Sequence, residues 1–222
     1  MIEVLRTIGT MLALSVAAML LAGCGGAGHA SSSSATPGAG VPISSSQALA
    51  YAHAVNLRAA DAPGMTSQRN AEVVIHPRGS HPFLRCAGIP AARVLLEIHS
   101  TILNAPYWWM RSTIGVLPNE ALAAAYVSAL GSSRGHRCLL MKIPRRADMT
   151  ISTIAIDSPF KGIRISQNTG VQWTHNDTLA FASGRAVITL TAQGERTPSL
   201  ATEQHIISLL YNRAKAHQLP AL

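Results

Sequence analysis

Residues 185–216 read RAVITLTAQGERTPSLATEQHIISLLYNRAKA. The opening eight, Arg185 to Ala192, are rich in β-branched residues and predict a strand. Thr197 then caps a helix with Pro198 at its first position, where a missing N–H is no loss. Leu200, Ile206, Ile207, Leu210 and Ala214 recur at helical spacing and share a face. A strand followed by a long one-sided helix implies a helix laid on a sheet.

Three more strand candidates precede this unit: Met149 to Asp157, Gly162 to Asn168 and Val171 to Phe181. Gly170 and Ser183-Gly184 supply turn chemistry between strands. Asn176-Asp177 either bulges the third strand or splits it into a tight hairpin. Further back, Arg93 to Leu103 and Tyr107 to Leu117 flank Asn104-Ala105-Pro106 and read as a hairpin. Ala71 to His76 is a short strand, followed by a loop, His76 to Pro82, that leads to Cys86. Gln47 to Arg58 reads as a helix with Ser45 or Ser46 as N-cap and Leu49, Ala52 and Val55 on one face. Asp61-Ala62-Pro63-Gly64 closes it with a turn. Asn119 opens an Ala-rich helix, Glu120 to Leu130, with Gly131 as its stop and Cys138 in the next loop. The expected fold is α+β: a twisted, largely antiparallel sheet of six or seven strands, with about three helices packed mainly on one face.

The amino end carries an address. Arg6 makes a thin positive region, and Ile8 to Leu21 is an apolar run shorter than the ~20 residues that span a bilayer. It stops at Leu21-Ala22-Gly23-Cys24, which resembles the lipobox of bacterial lipoproteins. The resemblance implies that residues 1–23 are removed as a signal peptide and that Cys24 carries the acyl chains. Two or more chains hold stably where one gives only reversible binding. Residues 24–46 follow as a Ser/Gly/Pro-rich tether with no charged residue, reaching about 25 Å as a random coil. Residues 47–222 then form a single globular domain, held by its lipid on the extracytoplasmic face of the cell membrane. Apart from Cys24, the chain has two cysteines, Cys86 and Cys138, in an oxidising compartment, so a Cys86–Cys138 disulfide is expected.

The chain has 222 residues, 13% of them charged, and a formal net charge of +8. Basic residues cluster as Arg134, Arg137, Lys142, Arg145 and Arg146 with no acid among them. Such a patch suits anionic lipid headgroups, an anionic cell-wall polymer or an acidic small molecule, or is simply a solvated basic face. Nucleic acid suits the charge but not the compartment. Tyr107-Trp108-Trp109 is the sole aromatic run. Neighbours on a strand point to opposite faces, so one Trp belongs to the core while the other can line an apolar ligand groove.

Gly131-Ser132-Ser133-Arg134-Gly135 matches the G-x-S-x-G pattern of a nucleophile elbow. That device needs a strand before the serine and a helix after it. Here a helix comes before, so Ser133 reads as part of a polar loop. The histidines are scattered singly without metal-ligand spacing, and no spaced pair of carboxylates suits acid–base work. No metal, cofactor or catalytic residue is expected.

With these elements in place, the chain resembles exported actinobacterial lipoproteins whose domain is similar to the extracellular sensor domain of receptor Ser/Thr kinases. The resemblance rests on the lipobox at Cys24, the Ser-rich tether, and Ala54-Val55-Asn56-Leu57 running to Asp61-Ala62-Pro63-Gly64. The Cys86/Cys138 pair and the final strand and helix add to it. It implies an antiparallel sheet with two principal helices, a ligand-binding cleft and no enzymatic activity. Those sensor domains carry two disulfides, and this chain can make one. The order of elements also resembles mycobacterial lipoproteins with a PsbP-like α+β fold. The favoured reading is a membrane-anchored, non-catalytic binding or sensor-like domain. The alternatives are an extracytoplasmic hydrolase of lipid or wall material, with Ser133 the first nucleophile to test, and a structural lipoprotein that docks a partner.

Overall fold

The computed structural model describes residues 44–68, 72–76, 81–89, 94–141, 148–217 and 219. The signal segment, Cys24 and most of the tether lie outside the described residues. Chain order is α1 (Ser45–Val55), a 3-10 turn (Ala59–Asp61), β1 (Thr66–Ser67), β2 (Val73–Ile75), α2 (Pro82–Cys86) and β3 (Leu96–His99). Then come β4 (Leu103–Ala105), β5 (Trp108–Val116), α3 (Glu120–Leu130), α4 (Ser133–Leu140) and β6 (Met149–Ile154). The last are β7 (Lys161–Asn168), β8 (Trp173–Ser183), β9 (Ala186–Gly194) and α5 (Leu200–Ala216). The strands form one sheet, paired antiparallel throughout, in the order β1-β4-β5-β9-β8-β7-β6. β3 shares the outer edge of β5 with β4 and carries β2 beyond it. The α+β class and the antiparallel sheet are those the sequence implies.

Local chemistry moves several boundaries. Ser44, not Ser45 or Ser46, caps α1: its hydroxyl accepts the Gln47 amide at 3.2 Å, while the Gln47 side chain accepts the Ser44 amide at 3.3 Å. This reciprocal box satisfies two donors that the first helical turn leaves orphaned. Ser199 caps α5 by accepting the Thr202 amide, so the helix starts two residues beyond Pro198 and leaves Leu200 exposed rather than in the apolar face. β8 runs unbroken through Asn176-Asp177 in constant register with both neighbours, so that pair neither bulges nor turns.

The long strand expected over 93–103 is instead two. His99 lies opposite Thr113 and Leu103 opposite Met110, so three residues, Ser100 to Ile102, face two, Arg111 and Ser112. One extra residue in one strand is a β-bulge. Backbone and side chain share its hydrogen bonds. The Ser100 amide donates to the Ser112 carbonyl and the Gln68 amide to the Ile102 carbonyl, each at 2.9 Å. The Ser112 amide donates to the Ser100 hydroxyl and the Leu57 amide to the Ser112 hydroxyl, each at 2.9 Å. Ser112 in turn donates to the Asn56 side chain, whose amide reaches Glu72 at 2.8 Å. This buried chain of hydrogen bonds joins the end of α1 to the middle of the sheet.

The helices do not gather on one face as expected. Side chains alternate along a strand, and on β9 Ala186, Ile188 and Leu190 belong to the cluster built with α1 and α5. Val187, between them, belongs to the cluster built with α2, α3 and α4. The first cluster is the larger core. Phe160, Phe181 and Tyr211 stack edge-on there at 5.3–5.8 Å between centroids, a geometry that aromatic quadrupoles favour.

The α1/α5 face also buries charge. Arg164 of β7 makes two parallel bonds to Asp177 of β8, at 2.7 and 2.6 Å. Glu203, 1% exposed on the first turn of α5, lies next to Asp177. Burial, then the Asp177 charge, pushes the Glu203 carboxyl up to about 8, so at neutral pH it carries its proton and the group of three is electrically balanced. Arg213 binds Asp61 through both oxygens, at 2.7 and 2.5 Å, and donates to the Asn56 carbonyl at 3.2 Å, which fastens α5 to the turn after α1.

Candidate functional site

Of the places the sequence pointed to, the structure brings the disulfide, Ser133 and the described part of the basic patch together at α2 and α4, and carries Trp108 and Trp109 on β5. Cys86 and Cys138 are joined with Cα atoms 5.7 Å apart, linking α2 to α4. Both lie in short helices rather than the expected loops. At five and eight residues, α2 and α4 are too short to print a clear period in the sequence. Phe83 and Leu84 bury α2. Gly135 lets α4 approach α3, since a Cβ there would fall 1.8 Å from the Ala129 carbonyl oxygen.

That close approach accounts for the second glycine of the G-x-S-x-G match. Ser132 caps α4 by accepting the Gly135 amide at 3.0 Å and itself donates to the Ala129 carbonyl at 2.8 Å. Ser133 is the exposed first residue of that helix, reached from α3 and not from a strand. Of the basic patch, Arg134 and Arg137 are exposed on α4, and Arg134 donates to the Cys86 carbonyl at 3.3 Å. Lys142, Arg145 and Arg146 lie outside the described residues.

Trp108 and Trp109 take opposite faces of β5. Trp108 packs against the α1/α5 core, at the point where β5 and β9 come so close that Gly194 has no room for a Cβ: one would lie 2.0 Å from the Tyr107 carbonyl oxygen. Trp109 faces the other way, with the Arg111 guanidinium 5.7 Å from its ring centroid. The apolar groove expected around these residues is not what surrounds Trp109. Register places Asn104, Trp109, Gln193 and Asn176 in one row across β4, β5, β9 and β8. Arg111, Thr191 and Thr178 form the next row, and His99, Thr113 and Thr189 the one after. All ten are half-buried. At about 4.8 Å between strands, the longest row spans about 14 Å. On this face α2, α3 and α4 pack their apolar side chains on Ile151, Ile163, Ala180 and Val187, toward the β6–β7 edge and the start of β9.

A titratable cluster borders these rows. His99 bridges Thr113, Nδ1 to Oγ1 at 3.1 Å, and Glu97, Nε2 to Oε1 at 2.8 Å. The bond to His99, with the charges of His81 and Arg111, holds the Glu97 carboxyl below the usual carboxylate range despite its burial. Arg111 is pulled the other way: burial lowers its pKa, and Glu97 offsets only part of that. Its Nε is buried with no hydrogen-bond partner. On α3, the Tyr126 hydroxyl is pushed up by burial and by the Glu97 charge, and the His81 ring rests edge-on against it at 5.7 Å. Glu97, His99, Arg111 and Thr113 were all missed in the sequence. Their signal was the alternation Leu96-Glu97-Ile98-His99 against Arg111-Ser112-Thr113-Ile114, which places one polar face only if the bulge is known.

Thr113, His99 and Glu97 form a hydroxyl–imidazole–carboxylate series, the grouping that activates a nucleophile in acyl transfer. Thr113 nevertheless sits inside a central strand, with β3 on one side and β9 on the other. Its backbone is committed to sheet pairing. The arrangement is suited to holding a polar ligand: a half-buried cation whose Nε has no hydrogen-bond partner among the described residues, an aromatic ring, and a field of hydroxyl and amide groups. Among the described residues no three His, Cys, Asp or Glu gather as metal ligands, and no helix is long and apolar enough to cross a membrane.

No protein-family model matches the chain, and no curated protein matches it. Among solved structures, the chain is similar to the extracellular domain of PknH from Mycobacterium tuberculosis, with 12% sequence identity over 78% of this chain and 92% of that one and a TM-score of 0.44.

Proposed function

We propose that the chain is a lipid-anchored extracytoplasmic binding protein, non-catalytic and sensor-like, which takes its ligand on the polar sheet face around Arg111. The observation that carries this reading is Arg111 itself. Its Nε is buried without a hydrogen-bond partner among the described residues and so forfeits an interaction that a bound ligand restores, since bonds to charged groups are worth about 1.5–3 kcal/mol each. A ligand there also meets Trp109 and the threonine, asparagine and glutamine side chains of the neighbouring strands. The lipobox-like Leu21-Ala22-Gly23-Cys24 supports the anchor, and residues 24–46 provide its tether.

Native mass spectrometry of the full chain, purified in detergent from an oxidising host, tests both parts. A molecule retained under gentle conditions, lost on denaturation and absent from Arg111→Ala is the expected result. The same molecule on Arg111→Ala at equal occupancy defeats the site assignment. For the anchor, Cys24→Ala is expected to remove the acyl mass and release the protein from the membrane fraction. An unmodified Cys24 in the membrane-bound protein defeats it.

A further inference from the structure

Resting on the reading above, we infer that the ligand of this face is an acidic saccharide, its carboxylate or phosphate held by Arg111 and its ring laid beside Trp109. The lining decides the class. Directly around Arg111 the rows are polar, with Trp109 their single aromatic; aliphatic side chains enter at the row ends, as Val73 beyond His99, Ala180 beyond Thr189, and Ile163 and Ile165 on β7. An acyl chain gains from burial only against apolar surface, and here it would strip water from hydroxyl and amide groups without replacing it. A sugar ring does the reverse. Its hydroxyls replace water one for one on Thr191 and Gln193, while its C–H face meets the indole.

Charge selects an acid within that class. The planar guanidinium of Arg111 matches a carboxylate or phosphate in a two-bond fork, which an uncharged hydroxyl cannot fill. Burial weakens the hold of Arg111 on its own proton, and an anion reverses that loss. Glu97, the one carboxylate of the cluster, is already bound to His99 at 2.8 Å. Its remaining oxygen is an acceptor for a sugar hydroxyl, and its charge acts on Arg111 only through space, offsetting part of the burial effect there. The formal net charge of +8 draws the same kind of ligand toward the domain from a distance.

The test uses the full chain in detergent micelles and isothermal titration with paired probes. Trigalacturonate is set beside its methyl ester, and a phosphorylated maltotriose beside maltotriose, so that skeleton is constant and charge is not. One acidic trisaccharide is expected to bind at least tenfold tighter than its neutral twin. Arg111→Ala should erase that preference, and Trp109→Ala should weaken both members of the pair. Galacturonate and glucose 6-phosphate then separate the two sources: equal affinity for monomer and trimer marks a free sugar acid, and a gain of tenfold or more with length marks a polymer segment. If acid and neutral twin bind alike and both are lost in Trp109→Ala, the acidic class is wrong while the face stands. If the acid binds Arg111→Ala and Trp109→Ala as well as it binds the parent, the face itself is wrong. Failure of every saccharide to bind overturns the inference.

Discussion

The two faces of this sheet are built from the same strands and obey opposite rules. Toward α1 and α5, β5 and β9 present Met110, Ile114, Ile188 and Leu190, and charged and polar groups there are held in pairs (Arg164 with Asp177, Arg213 with Asp61, Ser112 with Ser100 and Asn56) or, as with Glu203, buried neutral. Toward α3, the same two strands present Trp109, Arg111, Thr113, Thr189 and Thr191, and the buried Nε of Arg111 has no hydrogen-bond partner among the described residues. One face spends its side chains on cohesion, and the other leaves polar ones half-buried and held by longer bonds, as where Asn176 donates to Gln193 at 3.4 Å and Thr178 to Asn176 at 3.3 Å. In an antiparallel sheet the alternation of side chains permits this separation within a single strand, so stability and recognition need not compete for the same positions.

The comparison can be broken at its strong side first. Phe181→Ala removes the centre of the aromatic trio with Phe160 and Tyr211 and is expected to cost about 3–5 kcal/mol in urea denaturation. A loss below about 1 kcal/mol would mean that this face does not carry the fold. Opening the Cys86–Cys138 link with Cys86→Ser and Cys138→Ser together frees a loop of 52 residues' separation and should cost about 2–4 kcal/mol. Because the link ties α2 to α4, hydrogen exchange should rise there before it rises in α1 and α5. Uniform acceleration across both faces would erase the distinction between them.

The finest probe is pH. Glu203 keeps its proton up to about 8 when folded, against 4.5 as a free side chain, so the folded state binds more protons between those values. Stability from this group is therefore present at low pH and falls as pH rises through the window, by up to about 1.4 kcal/mol per unit. Glu203→Gln should flatten that slope and hold the α5 docking at pH 8. Parallel pH profiles for variant and parent would show that the carboxyl is not held neutral.

Much of this architecture is legible in the chain before folding. The strand from Arg185, the helix reaching Ala216, the Ala-rich helix Glu120–Leu130 and the pairing of Cys86 with Cys138 all follow from pattern and count. What was not legible has identifiable causes. Helices α2 and α4 derive their stability from Phe83, Leu84 and the disulfide, which are tertiary facts that propensity does not register. The distribution of helices over both faces was hidden because single residues such as Val187 and Ala180, small in number, mark the second core. The site was hidden for a different reason. Trp109 and the basic run drew attention as conspicuous residues, whereas Glu97, His99 and Thr113 are ordinary ones made into a group by register.

That register depends on the bulge at Ser100 to Ile102, which acts as a phase shifter. Before it, even-numbered Leu96 and Ile98 point to the α1/α5 core; after it, odd-numbered Leu103 does. The extra residue is what allows His99 and Asn104 to stand on the same surface, five positions apart, although strict alternation would set them on opposite sides. A one-residue deletion at Thr101 would restore the beat of the strand and turn one of its halves over. Either Asn104 would enter the hydrocarbon core, or Glu97 and His99 would. Insertion and deletion, more than substitution, are thus the changes by which this face can be gained or lost.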